Sequence, residues 1–312
     1  MGLFARAKKR AGLLATAITA DGLCAAIVTA RSDGKAQVRA ALWQAGVKPA
    51  AGLEKLHKDL QAASYRCTTL LGAADYQLLS LEAPNVPPEE LKTAVGWRLK
   101  DMLDFPLADA TIDVFDIPPD QNAPVRGKSV FAVAARNSAV SQRQGLYAAA
   151  KTGLAIIDIP EMAQRNIAAL LETAGRGLAM LSFDADGGLL TVNFNAELYL
   201  SRRIDVKLAQ LVDGSDDQKH QYYDKITLEL QRSFDHFDRQ FHFINVIKLV
   251  LAPTGADGLH GYLADNLYMP VEVLDLASVF DFGDVPHLQE AGSQARFFLT
   301  LGAALRQEAV AL

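Results

Sequence analysis

The stretch Leu13–Trp43 reads LLATAITADGLCAAIVTARSDGKAQVRAALW, and its punctuation decides the fold class. Three β-rich runs, LLATAIT, LCAAIVT and QVRAALW, are separated by the turns Ala20-Asp21-Gly22 and Ser32-Asp33-Gly34. Asp-Gly is favoured where a tight hairpin needs a positive φ, so the stretch predicts a three-stranded antiparallel meander. Leu178–Ile204, LAMLSFDADGGLLTVNFNAELYLSRRI, repeats the plan with LAMLSF, LLTVNF and ELYLSRR, and its first turn is again Ala185-Asp186-Gly187. One meander near the start of each half predicts an internal duplication.

Beyond each meander the apolar period changes from 2 to 3.6. Leu53, Leu56 and Leu60 share a helical face in Gly52–Ala63, ahead of the strand CTTLLG. In the second half Tyr222, Ile226, Leu230, Phe234, Phe237 and Phe241 form one stripe between Asp217 and Phe241, ahead of the strand VIKLVLA. Val140–Thr152, LAIIDI and Glu161–Glu172 close the first half as helix, strand and helix, and Gly255–Asn266 with PVEVLD closes the second. Strands alternating with helices after a meander imply a mixed sheet covered on both faces. The expected layout is a first lobe over 1–175 and a second over 176–312, with a C-terminal helix near 293–308 packing back. Between about 75 and 135 the first lobe holds an insertion: prolines 84, 87 and 88, the helix EELKTAVGWRLKDML, and the strands TIDVFDI and SVFAVAA as a hairpin.

Length and charge restrict function. At 312 residues the chain can bury a sizeable core, and half of it is apolar. A formal net charge of −5 argues against a nucleic-acid surface, which needs clustered Lys and Arg. The local basic cluster is Arg6, Lys8, Lys9 and Arg10, a weak signal for anionic headgroups. The apolar run after it, Ala11–Ala20, imitates a secretory signal but is broken by Asp21 and Gly22 and reads better as a buried hairpin. No run of 18 or more apolar residues predicts a membrane span. Cys24 and Cys67 sit in apolar stretches and read as buried reduced thiols, which fits the cytosol.

Three segments carry a resemblance: APNVPPEELKTAVGWRLKDMLDFPLADATIDVFDIP at Ala83–Pro118, DIPEMAQRN at Asp158–Asn166, and LQRSFDHFDRQF at Leu230–Phe241, with LGAALR at Leu301–Arg306 as a shorter addition. On these the chain resembles the PilM/MshI family of type IV pilus assembly. The resemblance implies a duplicated actin-like fold, related to ribonuclease H, with a helix-plus-hairpin insertion in the first lobe. It also implies a cytoplasmic adaptor, held at the inner membrane by the cytoplasmic tail of a PilN-like single-span protein and in contact with the pilus motor ATPase. The tail would lie in a groove between first lobe and insertion. A GspL-like secretion protein is the neighbouring reading, and it expects a membrane span.

The actin-like fold also implies places for a nucleotide, and the residues at those places depart from what a triphosphate needs. Where the first lobe would carry Asp-x-Gly-Ser/Thr stand Ala17, Ile18, Thr19 and Ala20, with Asp21 and Gly22 following. The second lobe has Asp184, Ala185, Asp186, Gly187, Gly188, Leu189 and Leu190, which keep a carboxylate but offer no hydroxyl and add a charge that repels phosphate. Under the adenosine, Pro253 and Thr254 precede Gly255 where glycines would stand. No catalysis and no cofactor are expected, with ATP and Mg²⁺ as the alternative.

Other constellations read blandly. His220, His236, His242, His260 and His287 have no metal-ligand spacing, and Ser233, Asp235, His236 and Asp238 do not share one helical face. On the inserted helix Leu91, Val95, Leu99 and Met102 make the expected core stripe and Trp97 lies off it. The candidates for partner contact are Leu91, Trp97, Met102, Phe105 and Pro106.

Overall fold

The computed structural model describes residues 10–29, 34–120, 127–283 and 285–307. Arg6, Lys8, Lys9 and the Ser32-Asp33 part of the second turn lie outside these. By backbone packing the described residues form two compact units, one from those within 10–71, 142–167 and 275–307, the other from those within 72–141 and 168–274.

In the first unit, β1 (Leu13–Thr19), β2 (Gly22–Thr29) and β3 (Ala36–Ala45) form the expected meander. After α1 (Pro49–Asp59), β4 (Arg66–Leu70) pairs parallel with β1. Strand β8 (Leu154–Asp158) returns to pair parallel with β4, and with β14 (Phe280–Asp281) beside β3 the order is β14-β3-β2-β1-β4-β8. Strand β14 is a two-residue addition, too short to carry a period in the sequence. Residues 23–28 of β2 are all buried, because helices cover both of its faces. Leu23, Ala25 and Ile27 meet Leu53 and Leu56 of α1 and Tyr147 of α3 (Asn137–Ala149). On the opposite face the Cys24 thiol lies 3.7 Å from the Arg296 carbonyl of α8 (Ala291–Ala304), which packs across β1, β2 and β4.

The contact between α8 and α4 (Pro160–Ala168) is tight. A Cβ at Gly302 would sit 2.2 Å from the Ala163 carbonyl oxygen, while Asn166 Nδ2 donates to the Gly302 oxygen at 2.9 Å. Just beyond, Arg306 pairs with Asp158 at 2.8 Å, and the Asp158 side chain is 3% exposed. The segments DIPEMAQRN and LGAALR therefore meet in space, which their separation in the chain does not reveal.

The second unit repeats the topology. β9 (Gly177–Phe183), β10 (Gly188–Phe194) and β11 (Glu197–Ile204) form the meander, and β12 (Val246–Leu251) and β13 (Val271–Val273) extend it in parallel, in the order β11-β10-β9-β12-β13. A short α5 (Leu208–Val212) precedes α6 (Asp216–Gln240), and α7 (Leu259–Asn266) links β12 to β13. Ser215 and Gln218 cap α6 reciprocally. The buried stripe of α6 runs through Tyr223, Ile226, Leu230, Phe234 and Phe237, so the stripe begins at Tyr223 rather than at the expected Tyr222. The two first turns also differ. Thr19 pairs with Gly22 across a two-residue turn, whereas Phe183 pairs with Gly188 across four residues, so the matching Ala-Asp-Gly triplets are out of register.

The insertion packs within the second unit as β5 (Tyr76–Glu82), β7 (Ser129–Arg136) and β6 (Ala110–Ile117), with α2 (Leu91–Leu99) on one face. The expected helix and hairpin are present, and β5 is a third strand that the sequence reading did not pick out. Helix α2 is shorter than expected: Pro88–Glu90 form a 3₁₀ turn before it, and the helix ends at Leu99. Val95 and Leu99 reach the core as expected, with Phe105, Val130, Ala132 and Ala134, but Met102 falls beyond the helix and is exposed.

Candidate functional site

Ligands of open α/β sheets bind beyond the carboxyl ends of the strands. In the second unit Leu251 of β12 lies opposite Leu181 of β9, and Ala252 N bonds the Leu181 carbonyl at 2.8 Å. The loops 184–187 and 252–258 thus leave the carboxyl ends of two neighbouring parallel strands side by side, at the positions the sequence compares with phosphate and adenosine loops.

Both loops are closed by their own groups. The Asp184 carboxylate accepts from Asp186 N at 2.8 Å and Gly187 N at 3.1 Å, and Asp184 N bonds the Gly187 carbonyl at 3.0 Å. These two amides are the donors an anion would otherwise take from such a turn. Burial pushes the Asp184 carboxyl above its ordinary range; the Asp186 charge adds to this, while the two amides and Arg203 oppose it. Asp186 itself is exposed, and its Oδ2 accepts from Ala73 N at 3.1 Å, tying the turn to the chain that leads into the insertion. Gly187 has φ +138°, and a Cβ there would lie 2.8 Å from the Ile204 carbonyl; at Gly188 it would lie 2.7 Å from the Phe183 ring. Hairpin packing accounts for both glycines.

In the loop after β12, Pro253 and Thr254 are buried, and Thr254 Oγ1 accepts from Ala256 N at 3.1 Å. Tyr223 donates to the Asp257 carbonyl at 2.8 Å. Gly255 has φ +68° and open space beside it. In the first unit, Ala17, Ile18 and Thr19 belong to β1, and Asp21 sits in the turn with its Oδ1 2.6 Å from the Thr19 hydroxyl. A Cβ on Gly22 would strike the Gln44 carbonyl at 2.2 Å, so this glycine serves the close pairing of β2 with β3.

The partner candidates separate by burial. Trp97 is 68% exposed, Met102 and Pro106 are exposed, and Leu91 is half-buried. Phe105 is buried in the core of the insertion under the Arg136 guanidinium, 4.3 Å from its ring centroid, because the chain folds back onto β7 after α2. Sequence periodicity missed a second feature, a cavity of about 300 Å³ between α6 and the chain leaving α7, rimmed by the fully exposed Tyr268. Among the described residues no group of three or more His, Cys, Asp or Glu is placed to hold a metal ion, and no helix is long and apolar enough to cross a membrane.

No family model and no curated protein sequence matches the chain. Solved structures do. A PilM–PilN type IV pilus biogenesis complex matches with a TM-score of 0.73 at 21% identity, over 95% of this chain and 98% of that one. The cytoplasmic domain of EpsL, an inner-membrane component of the type II secretion system of Vibrio cholerae, matches with 0.50 at 12% identity, over 96% and 97%. A Bacteroides thetaiotaomicron protein of unknown function with an actin-like ATPase fold matches with 0.51 at 12% identity, over 93% and 99%. With its twice-repeated meander and parallel extension, this chain has the actin-like fold, carrying a helix-and-strand insertion in the first half of its sequence.

Proposed function

We propose that the chain is a non-catalytic adaptor of a type IV pilus assembly platform, one that holds the cytoplasmic tail of a PilN-like inner-membrane protein and links it to the motor ATPase. The observation that carries this reading is the Asp184 turn: its two inward amides are already taken by its own carboxylate, so a phosphate would have to displace an anion and bind beside Asp186. The likeness to a PilM–PilN complex supports the choice of partner class. A place at the inner membrane then comes from the tail, with Trp97, Met102 and Pro106 as the exposed apolar contacts and Leu91 beside them. Assignment to the MshI branch rests on the three sequence segments alone.

Calorimetric titration with ATP and Mg²⁺ is expected to give no binding, and an affinity tighter than about 100 μM, roughly −5.5 kcal/mol, overturns the reading in favour of an ATP-binding switch. Titration with a synthetic PilN-like tail is expected to give binding that Trp97→Ala weakens. The likeness to the EpsL cytoplasmic domain favours a second reading, a GspL-like part of a type II secretion machine. Affinity for a secretion-type partner with none for the PilN-like tail would select it.

A further inference from the structure

The cavity beside α6 combines three features that suit one kind of ligand. Phe234 supplies an apolar wall from α6, and Leu267 and Met269 face it from the chain after α7. Asp235 and Asp238 line the same cavity one helical turn apart, and no lysine or arginine lines it. Among the described residues neither carboxylate has a hydrogen-bond or ion-pair partner; Arg239, the nearest cation in sequence, turns its Nε back onto the Asp235 carbonyl at 3.0 Å. Tyr268 stands fully exposed on the rim, an aromatic face with nothing packed on it. Two unpaired carboxylates, an aromatic face and an apolar wall fit a cationic side chain on an aliphatic stem, flanked by an apolar residue.

The chain itself contains such a segment. Leu3–Lys9, LFARAKK, sets the three cations Arg6, Lys8 and Lys9 just after Leu3 and Phe4, and all of it lies outside the described residues, whereas Arg10 is held at home by Gln61 at 2.7 Å and by the Tyr65 ring. We propose that the α6 pocket docks the basic N-terminal stretch of a second copy of this chain, with a Lys or Arg head between Asp235, Asp238 and the Tyr268 ring. Giver and taker are different surfaces, so the contact is head-to-tail and can propagate from copy to copy. Its charges are exposed, which makes the association weak and salt-sensitive. The inference is independent of the adaptor reading.

Sedimentation velocity of the full chain tests it, over about 10–200 μM in about 50 mM salt. Wild type is expected to grow heavier with concentration and to dissociate in about 500 mM salt. A pocket variant, Asp235→Asn with Asp238→Asn, and a tail variant, Lys8→Gln with Lys9→Gln, are each expected to stay monomeric with unchanged melting. Mixed in equal amounts, they should form 1:1 dimers that grow no further, because one intact tail then meets one intact pocket. A wild type that is monomeric throughout overturns the proposal, as does a pocket variant that associates like wild type, or a mixture that stays monomeric. Pelleting of wild type, but not the tail variant, with phosphatidylglycerol vesicles in the absence of self-association would assign the tail to a lipid surface and overturn it as well.

Discussion

Gly302→Ala should unfold the first unit early, and the size of the effect follows from three contacts. The added Cβ would lie 2.2 Å from the Ala163 carbonyl oxygen and 2.8 Å from its carbon, both backbone atoms that cannot rotate away. Helix α8 must therefore move by roughly 1 Å, and overpacking of this kind costs about 1–3 kcal/mol. The shift also strains the Asn166 bond to the Gly302 oxygen, a contribution of about 1 kcal/mol, and loosens Arg306 from the buried Asp158. Alanine returns about 1 kcal/mol through its helix propensity. The net loss is about 1–3 kcal/mol, which at about 2–4 °C per kcal/mol lowers the melting temperature by about 2–12 °C. Gly145→Ala is the matched control: it is also a glycine within a helix, in α3, but has nothing within 4 Å, and should stabilise by about 0.5–1 kcal/mol. Trp43 lies 4.9 Å under the Arg296 guanidinium of α8, so in a Trp97→Phe background its fluorescence follows this unit through urea unfolding. If Gly302→Ala matched Gly145→Ala in sign and size, the reasoning about the α4–α8 contact would be refuted.

Asp184→Asn keeps an oxygen for both amides and removes the charge whose burial raises the carboxyl above 3.8. A raised folded-state value means that stability from this group is complete below the unfolded value and is lost as pH rises through the folded one. Relative to wild type, the variant should therefore gain in urea midpoint from about pH 4 upward, and a trend in the other direction would contradict the assignment. Burial pushes the Cys24 thiol up to about 12, and Cys67 is buried as well. A thiol reagent at about pH 8 should thus label neither cysteine in the native protein and both after denaturation; fast native labelling would show that the sheet is open. Trp97→Ala should change stability by less than about 0.5 kcal/mol because the side chain is exposed, yet weaken binding of a PilN-like tail at least about tenfold, measured by calorimetry.

The insertion illustrates how far the sequence can be read. TIDVFDI and SVFAVAA alternate clearly and became β6 and β7, but YQLLSLE at Tyr76–Glu82 carries adjacent leucines and no clean period, and only its pairing with β7 makes it a strand. Helical periodicity placed Val95 and Leu99 correctly in the core and misplaced Met102, because the period says nothing about where the helix stops. Phe105 and Trp97 are equally apolar in the sequence, yet one is covered by Arg136 from a strand about thirty residues on and the other by nothing. In the loops 184–187 and 252–258 the residue types were readable, whereas the Asp184 carboxylate closing its own turn was not.

The amino-acid order by itself determined the two meanders, the kind of element that follows each, and the change of side-chain chemistry at the loops, because alternation, helical period and turn residues are local properties of the chain. Tertiary structure decided which glycine faces a carbonyl and which faces solvent, which aromatic is buried, and that Asp158 finds Arg306 nearly 150 residues away. Those outcomes depend on which distant element arrives at a given face, and packing at native density leaves a few tenths of an ångström to choose between a stabilising methyl group and a destabilising one.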